Sequence, residues 1–446
     1  NPFDMPHIKM VHRKTPPCTN IHMNHKKGGG HMTKRYEKLE YLRSKLKKHE
    51  SRTAQRYYQY DMKYCESSVG FVIPSHIRKR YTSHIGWTTK AVDCLADRLV
   101  VRNFDKDSFG VNEIYKLNNP DILFDSAILN ALISSCSFVY ISKSEEGEVR
   151  LQVIESLNAT GTIDPITGLL KEGYAVLDRD KHNKPIMEAF FEPYLTTIIT
   201  RDELGNEIET PFTHEVAHPL LVPIIHRPDA VRPFGRSRIT RGAEYWQRLA
   251  KRTLERSDVT AEFYSFPQKY VTGLSQDAEA MDTWKATISS MLMFEKDAEG
   301  DKPTLGQFTT PSMSPFTEQL RTAASGFAGE TGLTLDDLGF VSDNPSSAEA
   351  IKASHETLRV MAEKAQRSLG SGFINVGYLA TCLRDDFPYK RNRFADLQVK
   401  WEPIFKPDAS TLSLIGDGAI KLNQSNPGYL DNDALRDLTG IDGGGQ

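Results

Sequence analysis

No apolar run in this sequence approaches the roughly eighteen residues that a membrane-spanning helix needs, so no segment predicts a bilayer crossing. The basic N-terminus also lacks the apolar core of a signal peptide. Cysteine is scarce: the five (Cys18, Cys65, Cys94, Cys136, Cys382) are odd in number, far apart and never in a C-x-x-C pair. That spacing suits free thiols in a reducing cytoplasm, and builds neither a disulfide framework nor a zinc cluster. An excess of positive charge is missing too, since 56 Lys and Arg face 58 Asp and Glu for a formal net charge of −2. Tight binders of duplex DNA carry a strong positive excess, because phosphate contacts dominate affinity. If this chain meets DNA, it does so without holding it. No G-x-x-x-x-G-K-[ST] phosphate loop is present, which excludes an ATP-driven motor, and no G-x-S-x-G nucleophile elbow. The scattered acids form no readable dyad, and nothing calls for a cofactor.

What is there is an ordinary globular composition, 39% hydrophobic and 26% charged over 446 residues, enough for a large core and more than one structural unit. Residues 1–31 stand apart. They are rich in His and Lys and end in Gly28-Gly29-Gly30 before His31-Met32, which reads as a mobile leader, natural or tag-like. Its His7, His12, Cys18, His22 and His25 lack structural-zinc spacing. From Met32 the pattern turns helical, with Tyr36, Leu39, Leu42 and Leu46 at three- and four-residue steps. Further helices are predicted over 87–101 and 122–135, the latter running into a strand at Phe138-Val139-Tyr140-Ile141. Strands follow over 150–156, 172–177, 189–192 and 196–200, separated by turns such as Asp164-Pro165-Ile166-Thr167-Gly168.

At Gly235 the character changes. A long helix is predicted over 236–263, with Ile239, Ala243, Trp246, Leu249 and Ala250 along one side and Glu244 and Arg248 at the i,i+4 spacing. Strands are predicted at 269–272 and 291–295, a second helix at 316–327, and an acidic, glycine-containing loop at 333–344. Ser346 to Glu349 has the S-x-x-E form of a capping box. It opens a helix striped by Ile351, His355, Leu358, Ala362, Ala365 and Leu369, which a break at Gly370-Ser371-Gly372 divides from another helical run. Helices over 409–424 and 431–438 close the chain. The class is α+β.

One string imitates a catalytic motif: His214-Glu215-Val216-Ala217-His218, formally H-E-x-x-H. In zinc peptidases that spacing sets two imidazoles on one helical face with Glu as general base. Here Pro211 precedes it and Pro219 follows directly, biasing His218 away from helical geometry. Leu221 and Ile224 occupy the extended motif's glycine and third histidine positions. The context predicts a loop before a strand, and no metal.

Three strings in order resemble the portal (connector) protein family of tailed bacteriophages. Gly235-Arg236-Ser237-Arg238-Ile239, with Tyr264 and Pro267-Gln268-Lys269-Tyr270-Val271-Thr272-Gly273, looks like its wing-to-stem transition. Ser347-Ala348-Glu349-Ala350-Ile351 with Glu356 and Leu358 is similar to its helix after the tunnel loop. The close, from Trp401 through Ala419-Ile420-Lys421-Leu422 and Asn426-Pro427-Gly428-Tyr429, resembles its C-terminal pattern. The resemblance covers residues 32–440.

The resemblance implies a portal-like architecture. It comprises an α+β wing at 32–235, a stem helix at 236–265, a small α/β clip at 266–312 and a second stem helix at 313–331. A tunnel loop at 332–346 follows, then a long helix, crown side and tail at 347–446. It further implies a homo-dodecameric ring at one capsid vertex, the channel for DNA packaging and ejection at the head–tail junction of the virion, assembled in the host cytoplasm. The implied partners are the terminase large subunit, head-completion (adaptor) proteins, major capsid and scaffolding proteins, and passing double-stranded DNA read without sequence specificity. In such a channel Asp336, Asp337 and Asp343, in a loop without Lys or Arg, would repel phosphates from the wall. Arg241, Glu244, Arg248, Lys251 and Glu255 would serve the contacts between stem helices of neighbouring copies, facing outward or toward the next subunit. Two other readings stay open: a different head–tail adaptor or assembly protein, and a zinc hydrolase built on His214, Glu215 and His218.

Overall fold

The computed structural model describes residues 29–63, 82–202, 205–265, 269–272, 304–309, 312–340 and 353–441. The chain divides into two compact units, Asn1–Tyr41 and Leu42–Gln446. The first contributes the opening of helix α1 (Gly29–Tyr60); the second is described below. It continues through α2 (Trp87–Ala96), β1 (Val101–Asp105), α3 (Val111–Lys116) and α4 (Pro120–Ser134). A run of strands follows: β2 (Cys136–Lys143), β3 (Val149–Glu155), β4 (Ala159–Ile163), β5 (Leu170–Arg179), β6 (Pro185–Glu192), β7 (Leu195–Arg201), β8 (Glu207–Thr213) and β9 (Leu221–Ile225). Then come α5 (Arg241–Ser265), β10 (Lys269–Thr272), β11 (Thr304–Gln307), α6 (Ser314–Thr331), α7 (Glu356–Arg384), β12 (Gln398–Trp401), α8 (Ala409–Ser425) and α9 (Asn432–Thr439). Helices and antiparallel sheet mix as the α+β reading expects.

The core forms around β2, the central strand of a three-stranded antiparallel sheet ordered β3-β2-β9. Val139 and Ile141 of β2 are buried on the face covered by helices, and Phe138 is buried on the opposite face, 6.2 Å from the Phe234 ring. Helix α4 turns into β2 at Ser135, whose φ of 106° is unusual for a residue with a side chain. The corner is held by the Ser134 and Ser137 hydroxyls, which donate to the Cys136 and Ala127 carbonyls at 2.7 Å each. A second, five-stranded sheet runs β4-β5-β6-β7-β8. It encloses a charged cluster: Glu188, 2% exposed, accepts from Arg43 at 2.7 Å, from Arg201 at 3.0 Å and from the Tyr174 hydroxyl. Both arginines also reach the more exposed Glu207.

Three local expectations need correction. The helix predicted over 87–101 ends at Ala96, because Val101–Asp105 pairs antiparallel with Gln398–Trp401, a partner some 300 residues away. The break at Gly370-Ser371-Gly372 does not occur: α7 runs unbroken through it. Gly372 is there for closeness, since a Cβ would lie 2.8 Å from the Ile224 Cδ1 of β9. The long helix begins at Arg241 and not at 236, because residues 235–240 do other work.

That work is to anchor α5. Gly235, at φ +75°, approaches so near that a Cβ would sit 2.1 Å from the His226 carbonyl. The next residues satisfy the carbonyls left over at the end of α4: the Arg238 amide donates to Leu132 at 2.8 Å and the Ser237 hydroxyl to Ile133 at 2.6 Å. The Arg238 side chain, 5% exposed, donates to the Ala91 carbonyl of α2 at 3.1 Å and to the Thr331 carbonyl at the end of α6. A cation at a helix C-terminus is favourably placed. His226 completes the clamp. Burial, with Arg238 and Arg227 adding to it, pushes its imidazole down to about 4, so its neutral Nδ1 donates to the Arg236 carbonyl at 2.7 Å.

Two stability measurements check these anchors. Arg238→Met removes the guanidinium that the Ala91 and Thr331 carbonyls share, and should cost about 2–4 kcal/mol in urea unfolding; a loss under about 1 kcal/mol would show that the clamp is dispensable. Glu188→Leu removes the buried carboxylate shared by Arg43, Arg201 and the Tyr174 hydroxyl and should cost about 3 kcal/mol, against less than about 1 kcal/mol for Glu207→Leu at the more exposed end of the same cluster. Equal losses from the two would contradict the assignment of Glu188 as its centre.

Candidate functional site

Beyond the clamp, α5 and α6 form a helical hairpin. Gly242 lies against Glu330 and Gly326 against Trp246, and opposed positions that fall on one helix as they rise on the other define an antiparallel pair. At Gly326 a Cβ would come within 2.3 Å of the indole. The seam is built from small residues, Ala243 and Ala250 on α5 and Ala323 and Ala324 on α6, all buried, with Phe327 packed on Trp87 at a ring separation of 5.5 Å. Thr240 donates to Glu330 at 2.6 Å across the base. With 25 and 18 residues the two helices extend for about 37 Å and 27 Å at 1.5 Å per residue. At the far end the chain continues into the antiparallel ribbon of β10 and β11, Lys269 opposite Gln307. Residues 273–303, including the strand expected at 291–295, lie outside the described residues.

The five charged residues expected to serve contacts along this helix fall into two groups. Arg241 and Arg248 are exposed, and with Arg256 and Tyr245 they recur along the outer side of α5. Glu244, Lys251 and Glu255 are 6%, 4% and 0% exposed, buried within their own chain, with Lys251 and Glu255 paired at 3.6 Å. They do not face outward. The i,i+4 spacing of Glu244 and Arg248 is realised through the backbone, Arg248 Nε donating to the Glu244 carbonyl at 3.2 Å. Gln247, also buried, accepts from the Thr88 amide at 2.7 Å and so ties α5 to the start of α2.

The acidic segment after α6 is a folded turn as far as residue 340. Gly332 closes α6 in the left-handed conformation, and Asp336–Leu338 forms one turn of 3-10 helix. Asp337 is engaged: its carboxylate accepts from the Thr334 amide and hydroxyl at 2.9 Å each, and His355 Nε2 lies 3.5 Å away. Burial works to raise its pKa, but the Thr334 hydrogen bonds and His355 outweigh it and hold the carboxyl below its usual range. Phe340 packs on Trp87 at 6.4 Å. Asp336 is exposed. Asp343 and the capping-box residues Ser346 and Glu349 lie outside the described residues.

His214, Glu215 and His218 sit in the non-helical connection from β8 to β9. His214 Nδ1 accepts from the Val216 amide at 3.3 Å, while the His218 ring stands 6.3 Å from that of Tyr378. Burial lowers both imidazoles. No helical face brings the two together, and among the described residues no group of three or more His, Cys, Asp or Glu is arranged to hold a metal. Cys94, Cys136 and Cys382 are buried free thiols. Sequence reading had missed the partners of Arg238 and of Glu188. Arg238 was visible as part of a polar string after Gly235, but no local pattern names the carbonyls it would meet.

No family profile matches the chain. Among curated proteins it is similar to the portal protein of Mycobacterium phage L5, 25% identical over 404 residues, covering 84% of this chain and 80% of that one. It is likewise similar to the portal protein of Mycobacterium phage D29, 25% identical over 394 residues, with 83% and 78% covered. Among solved structures it is similar to a chain from the neck of an empty gene transfer agent particle, computed with C6 symmetry. The TM-score is 0.46 and the identity 14%, with 82% of this chain and 93% of that chain covered. A chain from the neck of the native particle, computed with C12 symmetry, gives a TM-score of 0.44 at 14% identity, with 87% and 98% covered. The chain is thus similar, over most of its length, to two mycobacteriophage portal proteins, of the family that its three strings resemble.

Proposed function

We propose that this chain is a portal subunit: one member of a closed ring, of twelve copies, at a single capsid vertex, through which double-stranded DNA is packaged and ejected. The observation that carries the reading is the similarity to two portal proteins over about four fifths of their lengths. The helical hairpin with a ribbon at its tip supports it. In this reading residues 32–235 are the wing, the helix from Arg241 and the return helix Ser314–Thr331 the stem, and the β10–β11 ribbon part of the clip. The turn after α6 leads into a tunnel loop, and α7 onward lies on the crown side. Homo-oligomers of this kind close by cyclic symmetry.

The ring would dock the terminase large subunit during packaging and head-completion proteins afterward, within a shell of major capsid protein assembled on scaffold. It would form in the host cytoplasm and persist in the virion. No catalytic step is assigned to it. Arg241 and Arg248, exposed along α5, are the charges available to a neighbouring copy. Glu244, Lys251 and Glu255 instead fix α5 within its own subunit. DNA must slide, and each Lys or Arg contact to phosphate favours one register at the expense of motion. Asp336, repeated round the ring, would keep phosphates off the wall, with Asp343 in the same role; Asp337 serves the turn itself.

A charge reversal at the exposed acid tests the channel. Asp336→Lys changes a side chain outside the Thr334–Asp337–His355 network and should leave ring assembly intact. It adds about a dozen cations within roughly one Debye length (~8 Å) of passing DNA. Packaging or retention of DNA in a complemented phage should change, less so at higher salt. Unchanged packaging at low and high salt, with normal rings, would remove Asp336 from the channel.

A further inference from the structure

One face of α1 carries Lys45, His49, Arg52 and Arg56 at i, i+4, i+7 and i+11. These side chains line a cavity of about 430 Å³ that the α4–β2 corner and the turn at residues 231–235 enclose. Arg232 enters from that turn, and among the described residues no Asp or Glu lines the space. Glu155 accepts from Asn158 at 3.0 Å, and Glu244 acts on Arg56 from outside the lining. Two polar atoms in the cavity wall, Ser156 Oγ and Arg56 Nε, are buried without a hydrogen-bond partner among the described residues. Buried donors of this kind are seldom left unmatched. The cations also feel one another. Burial, and then the Arg52 charge, lowers the Arg56 guanidinium to about 10, still charged at neutral pH. Lys45 is held in place by the Gly161 carbonyl at 2.7 Å and the Phe234 ring at 4.9 Å.

We propose that this cavity is a binding site for a phosphate-class oxyanion, held by Arg52, Arg56, Arg232 and Lys45 with the Ser156 hydroxyl. Four cations, of which Lys45 and Arg56 are held by hydrogen bonds to the Gly161 and Ser134 carbonyls, share one space and repel each other. A tetrahedral dianion reverses that repulsion and supplies acceptors for the unmatched donors. Planar guanidinium groups suit such a guest through paired N–H donors. The place matters as much as the charge. The turn at 231–235 leads directly into the clamp at 235–240, so a bound anion would cross-link α1 to the base of the α5–α6 hairpin. The site is independent of the portal reading, since it requires neither ring nor DNA. The phosphate could come from the free ion or from a nucleotide, and a cavity of this size is within the range of small-ligand pockets.

Calorimetric titration of the purified full chain with inorganic phosphate, and separately with adenosine monophosphate, at ionic strength matched by sodium chloride, tests this. Saturable binding is expected, with a rise in the thermal midpoint that chloride alone does not give. Tighter binding of the nucleotide assigns a nucleotide phosphate; equal or weaker binding assigns the free oxyanion. Arg52→Gln should weaken binding about tenfold or more and raise the midpoint of the phosphate-free protein by relieving repulsion. Lys48→Gln, on the same helix but outside the lining, should alter neither. Absence of saturable binding up to about 20 mM phosphate, or binding that Arg52→Gln leaves unchanged, would overturn the proposal.

Discussion

A buried guanidinium without a carboxylate partner in the clamp must find its compensation in backbone carbonyls, and at Arg238 those carbonyls belong to separate helices. Ala91 lies within α2 and Thr331 ends α6, so a single side chain fixes where α5 begins relative to both. The adjoining amide and hydroxyl of residues 237 and 238 close off the end of α4. Because the hairpin is antiparallel and sealed by glycine and alanine, its direction is settled at this base. The helices, the ribbon at their tip and the acidic turn that follows are all hung from one polar knot. Its cost in desolvation is offset by carbonyls that would otherwise be left unpaired.

Charge is partitioned along α5 in a way that suits an assembly element. Glu244, Lys251 and Glu255 turn inward and hold the helix to its own subunit, while Arg241, Tyr245, Arg248 and Arg256 remain outside. Interior pairs set position, and the outer arginines are free to meet another copy. The same economy holds in the turn after α6. Asp337 is committed to Thr334 and His355, while Asp336 is exposed.

Much of this was legible in the sequence where the signal is local. The α4-to-β2 transition, the strands β3, β5, β6, β7 and β9, and the helices α6, α8 and α9 followed from periodicity, β-branched runs and turn residues, whereas β4 and β8 did not. Legibility ended where a distant partner decides. Val101–Asp105 continues an apolar helical pattern, yet pairs with a strand near the C-terminus. Gly370-Ser371-Gly372 has the composition of a break, but Gly372 answers the closeness of β9. Residues 236–240 have helical propensity and are claimed instead by carbonyls of α4. Of the candidate residues, Asp336, Arg241 and Arg248 lie exposed. Burial of Glu244, Lys251 and Glu255 could not be read, because each is charged and helix-compatible in any environment.

Closed-ring assembly is the claim on which the functional account stands, and direct imaging addresses it. The purified chain from Met32, viewed by negative-stain electron microscopy at micromolar protein over several salt concentrations, should give annular particles with a central channel and cyclic symmetry of twelve or near it. Monodisperse monomers under all these conditions would contradict the portal reading.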